Sequence, residues 1–175
     1  MLERLLLMLH ACCLRVRGAR LARGARIHAG SRFSRVRGIE MGEHARLYWG
    51  GDVLLGPRGE FRLGHSSHLA PHHYCLVADR RLSFGNHVAV GPRCMFFCHS
   101  NGIPADVTTT TFTECHIDGD ITVGNNVLIG AGCIVLPGAS IGDNVVVGAG
   151  SVVKGELESG WVYAGQPARK VKPLC

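Results

Sequence analysis

Between residues 123 and 153, every sixth residue of this chain is a valine or an isoleucine, without a break. A period of six is too long for the alternation of an ordinary strand, and it does not fit the turn of about 3.6 residues in an α-helix. A fixed repeat has to be identified first, because it determines the whole architecture. The repeating aliphatic residues are Val123, Ile129, Val135, Ile141, Val147 and Val153.

The residues that follow each aliphatic position predict a sharp corner. Three positions on, the chain has glycine or asparagine, the residue types that adopt the left-handed backbone conformation at least cost. The residue after that is small or β-branched. The corner residues are Asn126, Gly132, Gly138, Asn144 and Gly150, and the residues after them are Val127, Cys133, Ala139, Val145 and Ser151.

This pattern predicts a parallel β-helix of hexapeptide repeats. Each unit is a short strand followed by a corner, and three units close a triangular coil. Stacked coils bury the aliphatic residues as one continuous column, in which each valine or isoleucine contributes about 1.5–3 kcal/mol. The alternative is a run of ordinary hairpin strands, for which a period of six is not expected.

A degraded form of the same repeat extends toward the N-terminus. The step from Leu63 to Phe84 equals one full coil plus three extra residues near 79–81. We therefore predict one β-helix over residues 18–156, preceded by an apolar helix over 1–17 and followed by a basic tail over 157–175. Residues 98–119 carry no repeat and are expected to leave the body as a loop, because repeat proteins place insertions on one face. The degraded positions are Leu21, Ile27, Phe33, Met41, Leu47, Leu63, Leu69, Phe84, Val90 and Phe96.

Composition and charge narrow the possible partners. Aromatic residues make up only 6% of the chain and 24 residues are glycine, as a narrow aliphatic prism with many corners requires. The net charge of +6 at pH 7 favours anionic partners. No basic segment interleaved with aromatic residues indicates nucleic acid. The eight cysteines form no C-x-x-C pair, so we expect reduced thiols in a cytoplasmic protein.

The apolar segment at residues 1–14 is too short to span a bilayer, which needs about 20 apolar residues. Two interpretations remain open. The segment packs as a helix at the open end of the β-helix or between subunits, or it lies on the inner face of the cytoplasmic membrane. In the second case the arginines behind it would hold anionic headgroups. These arginines are Arg15, Arg17, Arg20, Arg23, Arg26, Arg32, Arg35 and Arg37.

The hexads over residues 121–155, followed by YAGQPARKVK, resemble the hexapeptide-repeat acyltransferases. Within them the sequence is most similar to sugar O-acetyltransferases of the galactoside, maltose and nodulation type and to surface-polysaccharide acetyltransferases. The resemblance implies an all-β, left-handed parallel β-helix and a homotrimer with each active site in a cleft between adjacent prisms. It also implies transfer of an acetyl group from acetyl-CoA to a sugar or glycan hydroxyl in surface-polysaccharide or lipopolysaccharide biosynthesis.

The resemblance assigns the catalytic role to His99, at the mouth of the non-repeating loop. An imidazole can take the proton of an alcohol as the alcohol attacks a thioester, which gives direct transfer without an acyl-enzyme. Bare corners suit the pantetheine arm, and basic residues suit the phosphates of the cofactor. The expected cofactor-binding residues are Ala131, Gly132, Ala149, Lys154, Arg169 and Lys170; the expected acceptor-binding residues are His72, His73, Asp79 and Asn101.

Other functions remain open from the sequence. One alternative is a zinc enzyme like the γ-class carbonic anhydrases, which share the prism. Its possible zinc ligands here are His68, His72, His73, His99 and His116, although we expect that the protein binds no metal. A non-catalytic hexapeptide scaffold is a further possibility. If the protein is a transferase, acyl transfer to an oxygen and acyl transfer to a nitrogen both remain possible. Cys98 beside His99 suggests a thiol nucleophile, but neighbours along a strand point to opposite faces, so Cys98 is expected to face inward if His99 faces the cleft.

Overall fold

The computed structural model describes residues 11–174. Residues 11–16 are helical, and Ala11 and Leu14 turn buried side chains toward the first coil. The first ten residues of the predicted N-terminal helix lie outside the described residues. No helix within residues 11–174 has the length and apolar character needed to cross a bilayer.

Almost all regular structure in the described residues is short β-strand. The strands, in chain order, are β1 (Arg20–Leu21), β2 (Arg26–Ile27), β3 (Arg32–Phe33), β4 (Ile39–Met41), β5 (Arg46–Leu47), β6 (Asp52–Leu55), β7 (Glu60–Leu63), β8 (His68–Leu69), β9 (Tyr74–Ala78), β10 (Arg81–Phe84), β11 (Ala89–Val90), β12 (Met95–Phe97), β13 (His99–Asn101), β14 (His116–Asp118), β15 (Ile121–Val123), β16 (Leu128–Ile129), β17 (Ile134–Val135), β18 (Ser140–Ile141), β19 (Val146–Val147), β20 (Val152–Val153), β21 (Glu156–Leu157), β22 (Trp161–Gly165) and β23 (Ala168–Pro173).

Apart from β13 and β14, these strands form three sheets that run along the three sides of a prism, and all their pairings are parallel except that of β22 with β23. Sheet A has the order β1-β4-β7-β10-β15-β18-β21, sheet B the order β2-β5-β8-β11-β16-β19-β22-β23, and sheet C the order β3-β6-β9-β12-β17-β20. Successive strands of the chain pass from A to B to C, so each set of three makes one coil. The predicted parallel β-helix is confirmed.

The six-residue period has the predicted structural basis. All six aliphatic positions of the regular hexads are at most 2% exposed, and the small residues after the corners are at most 1% exposed. The five predicted corner residues all have positive φ, from 53° at Asn144 to 77° at Gly138. The repeat is therefore set by an inward aliphatic residue and by a left-handed corner that glycine and asparagine tolerate.

The degraded upstream repeat keeps the same register. Leu63 pairs with Phe84, as the predicted coil with three extra residues requires. Equivalent residues lie 18 apart in the regular coils, 21 apart where the coil is enlarged, and 39 apart across the inserted loop. Parallel pairing of Phe84 with Val123 shows that the insertion leaves the stacking of the coils intact.

The β-helix continues beyond residue 156, where the sequence pattern predicted its end. Leu157 pairs with Ile141 in sheet A, and Tyr163 pairs with Val147 in sheet B. The side chains of Leu157 and Tyr163 are only 3% and 4% exposed, so they extend the buried column without a strict hexad. The basic tail then folds back as β23, antiparallel to β22.

The non-repeating segment begins and ends as a β-hairpin, and only its tip is irregular. It leaves the prism after β12, and β13 pairs antiparallel with β14, which places His99 opposite Asp118. The Gly119 N–H donates to the carbonyl of Cys98 at 3.0 Å, which closes the base of the hairpin on the body. The tip lies between Gly102 and Cys115 and exposes several apolar side chains, including Ile103 and Phe112.

Candidate active site

An open cavity lies where sheet C turns into sheet A, at the base of the hairpin. Its volume is about 430 Å³. One wall is the corner between β9 and β10, and the other is the paired start and end of the hairpin strands β13 and β14. The lining residues are Arg58, Ala78, Asp79, Arg80, His99 and Asp118.

His99 and Asp118 form a hydrogen-bonded pair in this cavity. The Nδ1 atom of His99 lies 2.9 Å from Oδ1 of Asp118, and both side chains are 35% exposed. An ionised carboxylate only accepts hydrogen bonds, so Nδ1 must carry the proton. The Nε2 atom of His99 is then the basic nitrogen, free to take a proton from a substrate.

The charge of the carboxylate is stabilised locally. The hydrogen bond from His99 is the main cause that lowers the pKa of Asp118, and the charge of Arg80 lowers it further. The Nη2 atom of Arg80 lies 3.7 Å from Oδ2 of Asp118. Asp118 therefore stays ionised near neutral pH and holds the imidazole in one tautomer.

The sequence analysis did not identify Asp118, and it named His116 only as possible ligand material for zinc. Both lie on β14, and the His116 ring stands 5.0 Å from the ring of His99, tilted by 32°. Their placement depends on the antiparallel register of a hairpin with a long tip, which no alternation of apolar and polar residues signals in the sequence. The available signal was the return of the chain to the prism at Gly119, which makes residue 118 the partner of residue 99.

Two of the four expected acceptor-binding residues lie near this cavity. Asp79 lines it and accepts a hydrogen bond from the Arg58 N–H at 2.9 Å, with the Arg58 side chain 3.7 Å from the other carboxylate oxygen. Asn101 lies two residues beyond His99 on β13. Its side-chain amide donates to the carbonyl of Phe112 at 2.8 Å, so it holds the hairpin tip rather than lining the cavity.

The other two expected acceptor residues lie at a different edge of the prism, between sheets B and C. His72 is an exposed corner residue with φ of 62°. His73 is 1% exposed, and burial lowers its pKa. A Cβ atom on Gly51 would lie only 2.1 Å from its Nε2, so the ring fills the space that this glycine leaves. The expectation that His73 contacts the acceptor is corrected: its side chain belongs to the interior.

The three small residues expected at the cofactor share this second edge. Ala131, Gly132 and Ala149 are all exposed at the corners that join sheet B to sheet C. Adjacent corners are tied together, since the Gly150 N–H donates to the carbonyl of Ala131 at 2.8 Å. The corners therefore form a rigid, stacked edge without bulky side chains.

Next to these corners runs a column of outward positions that we call the bare track: Ala70, Gly91, Gly130 and Gly148. Close stacking explains its glycines, since a Cβ atom on Gly91 would lie 2.6 Å from the backbone nitrogen of Ala131. On Gly130 it would lie 2.5 Å from the nitrogen of Ala149. The same constraint that lets the coils approach leaves a smooth surface on which an extended ligand can lie against backbone groups.

The expected phosphate-binding cations lie toward the C-terminal end of the prism. Lys154 and Arg169 are exposed. Lys170 is already engaged, because its Nζ lies 2.8 Å from the carboxylate of Glu158 and 4.4 Å from the centre of the Trp161 ring. Among the described residues, Lys154 and Arg169 are therefore better available to a phosphate than Lys170.

One chain does not bring all expected site residues together. His99 lies at the edge between sheets C and A, whereas Ala131 and Ala149 lie at the edge between sheets B and C. A full side of the prism separates them. A ligand on the bare track can meet a His99 only if that histidine belongs to another copy.

The thiol beside His99 faces inward, as expected. Cys98 is fully buried, and burial raises its pKa to about 12. Its Sγ lies 3.6 Å from the carbonyl of Arg81. Within residues 11–174, no three side chains of the ligand-forming types converge as a metal site, and all the cysteines there are free thiols.

Comparison with known proteins identifies the repeat. Residues 120–155 match the family model of the bacterial transferase hexapeptide, in six repeats. This segment is similar to the hexapeptide repeats of bacterial transferases. Protein CapG of Staphylococcus aureus is 39% identical over 93 residues, which cover 53% of this chain and 53% of CapG. The chain thus spans about half the length of this curated relative.

Solved structures share the fold over nearly the whole chain. AntD, an N-acyltransferase from Bacillus cereus, matches in a variant complexed with dTDP and coenzyme A, at a TM-score of 0.80 and 23% identity, over 93% of this chain and 88% of AntD. A hexapeptide-repeat-containing acetyltransferase from Vibrio cholerae O1 biovar eltor, complexed with acetyl coenzyme A, matches at a TM-score of 0.64 and 21% identity, over 94% and 76%. At these identities the likeness establishes the fold.

Proposed function

We propose that this protein transfers an acyl group from acyl-CoA, with acetyl-CoA as the natural donor, to a hydroxyl group of a sugar or glycan. The observation that carries the proposal is the His99–Asp118 pair in an open cavity, with Nε2 of His99 left as the base. The coenzyme A bound by AntD and the acetyl coenzyme A bound by the Vibrio cholerae acetyltransferase support the choice of donor.

The working enzyme is a homotrimer, with each site built by two copies. The pantetheine arm lies along the bare track of one copy, beside the corners at Ala131, Gly132 and Ala149. Its phosphates extend toward Arg169 and Lys170 at the C-terminal end of the same copy. Lys154 follows β20 at the edge between sheets C and A, so it would come from the adjacent copy, as His99 does. The adjacent copy contributes His99 and Asp118 from the base of its hairpin. Cyclic trimers repeat one heterologous contact three times, so three equivalent sites result.

The reaction is a direct transfer. The acceptor oxygen attacks the thioester carbonyl carbon while Nε2 of His99 takes the hydroxyl proton, and Asp118 stabilises the imidazolium that forms. The tetrahedral oxyanion is stabilised by backbone N–H groups of the exposed corner. When the intermediate collapses, the carbon–sulfur bond breaks and the imidazolium returns its proton to the sulfur of coenzyme A. The products are an ester and free coenzyme A.

An amino sugar is a second candidate acceptor for the same site. AntD is an N-acyltransferase and has been crystallised with dTDP-4-amino-4,6-dideoxyglucose. The base at position 99 serves an amine as well, since it removes the proton that the nitrogen sheds after attack. We favour the hydroxyl because the hexads, together with the tail motif, resemble those of sugar O-acetyltransferases and of the related surface-polysaccharide acetyltransferases.

The biological setting follows from the acceptor. We propose that the acceptor belongs to bacterial surface-polysaccharide or lipopolysaccharide synthesis at the inner face of the cytoplasmic membrane. The arginines of the first coil support this setting. No acidic residue occurs between Glu3 and Glu40, so the N-terminal end of the prism is strongly cationic and suited to anionic lipid headgroups.

The decisive test is a coenzyme A release assay with acetyl-CoA across a panel of sugars, amino sugars and nucleotide sugars. The wild-type protein is compared with His99→Ala and with the exposed hairpin variant Asp106→Asn as a control. We expect release with at least one sugar hydroxyl, a loss of at least 100-fold in His99→Ala and no loss in the control. Equal rates for wild type and His99→Ala would refute the role of His99.

A further inference from the structure

A partly exposed aromatic cluster lies on the same edge of the prism as the bare track. Tyr48 stacks on His28 with ring centres 5.0 Å apart and an interplanar angle of 17°. Trp49 stands edge-on to Tyr48 at 5.8 Å and is 51% exposed, and His68 closes the other side of Tyr48 at 5.9 Å. We call Tyr48 and Trp49, with these two histidines, the aromatic platform. Aromatic rings make up little of this chain, so their concentration here marks a surface suited to a flat partner.

The aromatic platform continues the bare track toward the N-terminal coils. The Tyr48 N–H donates to the carbonyl of Leu69, and the Ala70 N–H donates to that of Val90, so Tyr48, Ala70 and Gly91 stand directly above one another. The column therefore changes from aromatic to bare within one coil. A ligand that follows the track toward the N-terminal coils meets the Tyr48 side chain as the end wall.

The position of the reaction centre along the prism axis determines how long an acceptor must be to reach this platform. His99 follows β12 in the same coil as Gly91, since β11 and β12 are consecutive sides of that coil. In a threefold trimer with its axis along the prism, the His99 of the adjacent copy lies at that height too. Stacked strands lie about 4.8 Å apart, so the platform, two coils below, lies about 10 Å beyond the reacting atoms. That distance is the length of one or two sugar rings.

The residues between the reaction centre and the platform favour a neutral ligand. In the coil that separates them these residues are Ala70, Pro71 and the corner residue His72, none of which is a lysine or an arginine. The flanking arginines are Arg93, at the corner of the reaction-centre coil, and Arg46, beside His68 in the platform coil. A nucleotide sugar would place its two phosphates in this interval, where cations would be needed. A second or third sugar ring needs only contact surface, and the C–H face of a pyranose packs well on an indole or phenol ring.

Resting on the proposed function, we propose that the aromatic platform is an acceptor subsite that stacks a sugar ring one or two residues away from the ring that is acylated. The acceptor class is therefore an oligosaccharide and not a free monosaccharide. Trp49 and Tyr48 are specificity residues: they bind the distal ring and leave the chemistry at His99 unchanged.

Intrinsic fluorescence tests binding separately from chemistry. The chain has two tryptophans, so Trp161→Phe leaves Trp49 as the only one. Glucose, galactose and N-acetylglucosamine are titrated against their β1,4-linked disaccharides cellobiose, lactose and chitobiose, with UDP and dTDP as nucleotide probes. We expect a saturable change in Trp49 emission with at least one disaccharide at lower concentration than with its monosaccharide. A response to the nucleotides alone, or to none of the probes, overturns the proposal.

Kinetics then separate the subsite from a packing role. For an accepted sugar pair, we expect about a 10-fold lower KM for the disaccharide in the wild type. Trp49→Ala should reduce that advantage to below about 2-fold with kcat unchanged, whereas Trp49→Phe should retain it. Loss of the trimer in Trp49→Ala, seen by size-exclusion chromatography with light scattering, would mean that the platform is a subunit contact and would overturn the subsite. Disaccharide binding without coenzyme A release would instead leave the subsite standing and refute the proposed function.

Discussion

Replacing Asp118 by asparagine tests how the hairpin base prepares His99 for catalysis. The change keeps the size of the side chain but removes the negative charge of the carboxylate. In the wild type, Oδ1 of this carboxylate accepts a hydrogen bond from Nδ1 of His99 at 2.9 Å. Both side chains are about one-third exposed, so solvent screens the pair and its effect on folding is small, below about 1 kcal/mol. Asp118→Asn should therefore fold, form trimers and unfold at nearly the wild-type temperature.

Catalysis should suffer more than stability. As the imidazole takes the acceptor proton, it becomes cationic, and the interaction with the carboxylate strengthens at that moment. A charge-assisted hydrogen bond has a net value of about 1.5–3 kcal/mol, which screening reduces to about 1–2 kcal/mol here. We therefore expect kcat to fall about 5- to 30-fold, with little change in the KM for acetyl-CoA.

A double-mutant cycle makes this reasoning refutable. Coenzyme A release is measured for Asp118→Asn, His99→Ala and the double variant, with Asp106→Asn as a control that changes a carboxylate at the hairpin tip. If Asp118 acts through His99, the double variant is no slower than His99→Ala. An additional loss in the double variant would show that Asp118 has a separate role, and full activity of Asp118→Asn would show that the pair does not contribute.

Three further predictions address the prism and its buried groups. Ile129→Ala should lower the free energy of unfolding by about 2–5 kcal/mol in urea titrations, whereas Leu128→Ala, next to it but half exposed, should change it by less than about 0.5 kcal/mol; equal losses would contradict the inward column. Burial lowers the pKa of His73, so the unfolded state binds more protons and the melting temperature should fall as pH drops below about 6.5. His73→Gln should flatten that slope, leaving the contribution of His68, whose pKa burial also lowers, and the exposed His65→Gln serves as the matched control. Cys98→Ala should retain activity within about 3-fold, because burial raises the pKa of this thiol to about 12 and keeps it protonated; loss of activity with a stable fold would revive a thiol nucleophile.

The architecture was predictable because its cause is local and repeated. An aliphatic residue, a residue tolerant of positive φ and a small residue recur in every hexad, and each has the predicted burial or backbone angle. The prediction ended too early at residue 156. Leu157 follows Val153 after only four residues, which breaks the phase of six, although Tyr163 follows Leu157 after six. Only the pairing of β21 and β22 with the preceding coil reveals that both residues belong to the column.

The site was less accessible to sequence reasoning. His99 could be selected from its place after a coil, but Asp118 depends on a hairpin register that spans a long tip. His73 was misassigned because a histidine at a corner usually faces solvent. Here the preceding coil has Gly51 at the matching position, and the ring enters the space that the absent Cβ leaves. When a glycine in one coil makes room for a large side chain in the next coil, the sequence shows no periodic pattern that reveals it.

Complementation between two inactive chains tests the shared site most directly. His99→Ala removes the base, and Ala131→Trp places a bulky side chain on the exposed corner where the cofactor is proposed to lie. Each variant alone should be inactive. Co-expressed with different tags and purified through both, they should form mixed trimers in which an intact histidine meets an intact corner at one of the three interfaces. Recovery of coenzyme A release is the predicted result. Mixed trimers as inactive as either parent would contradict an active site built from two copies.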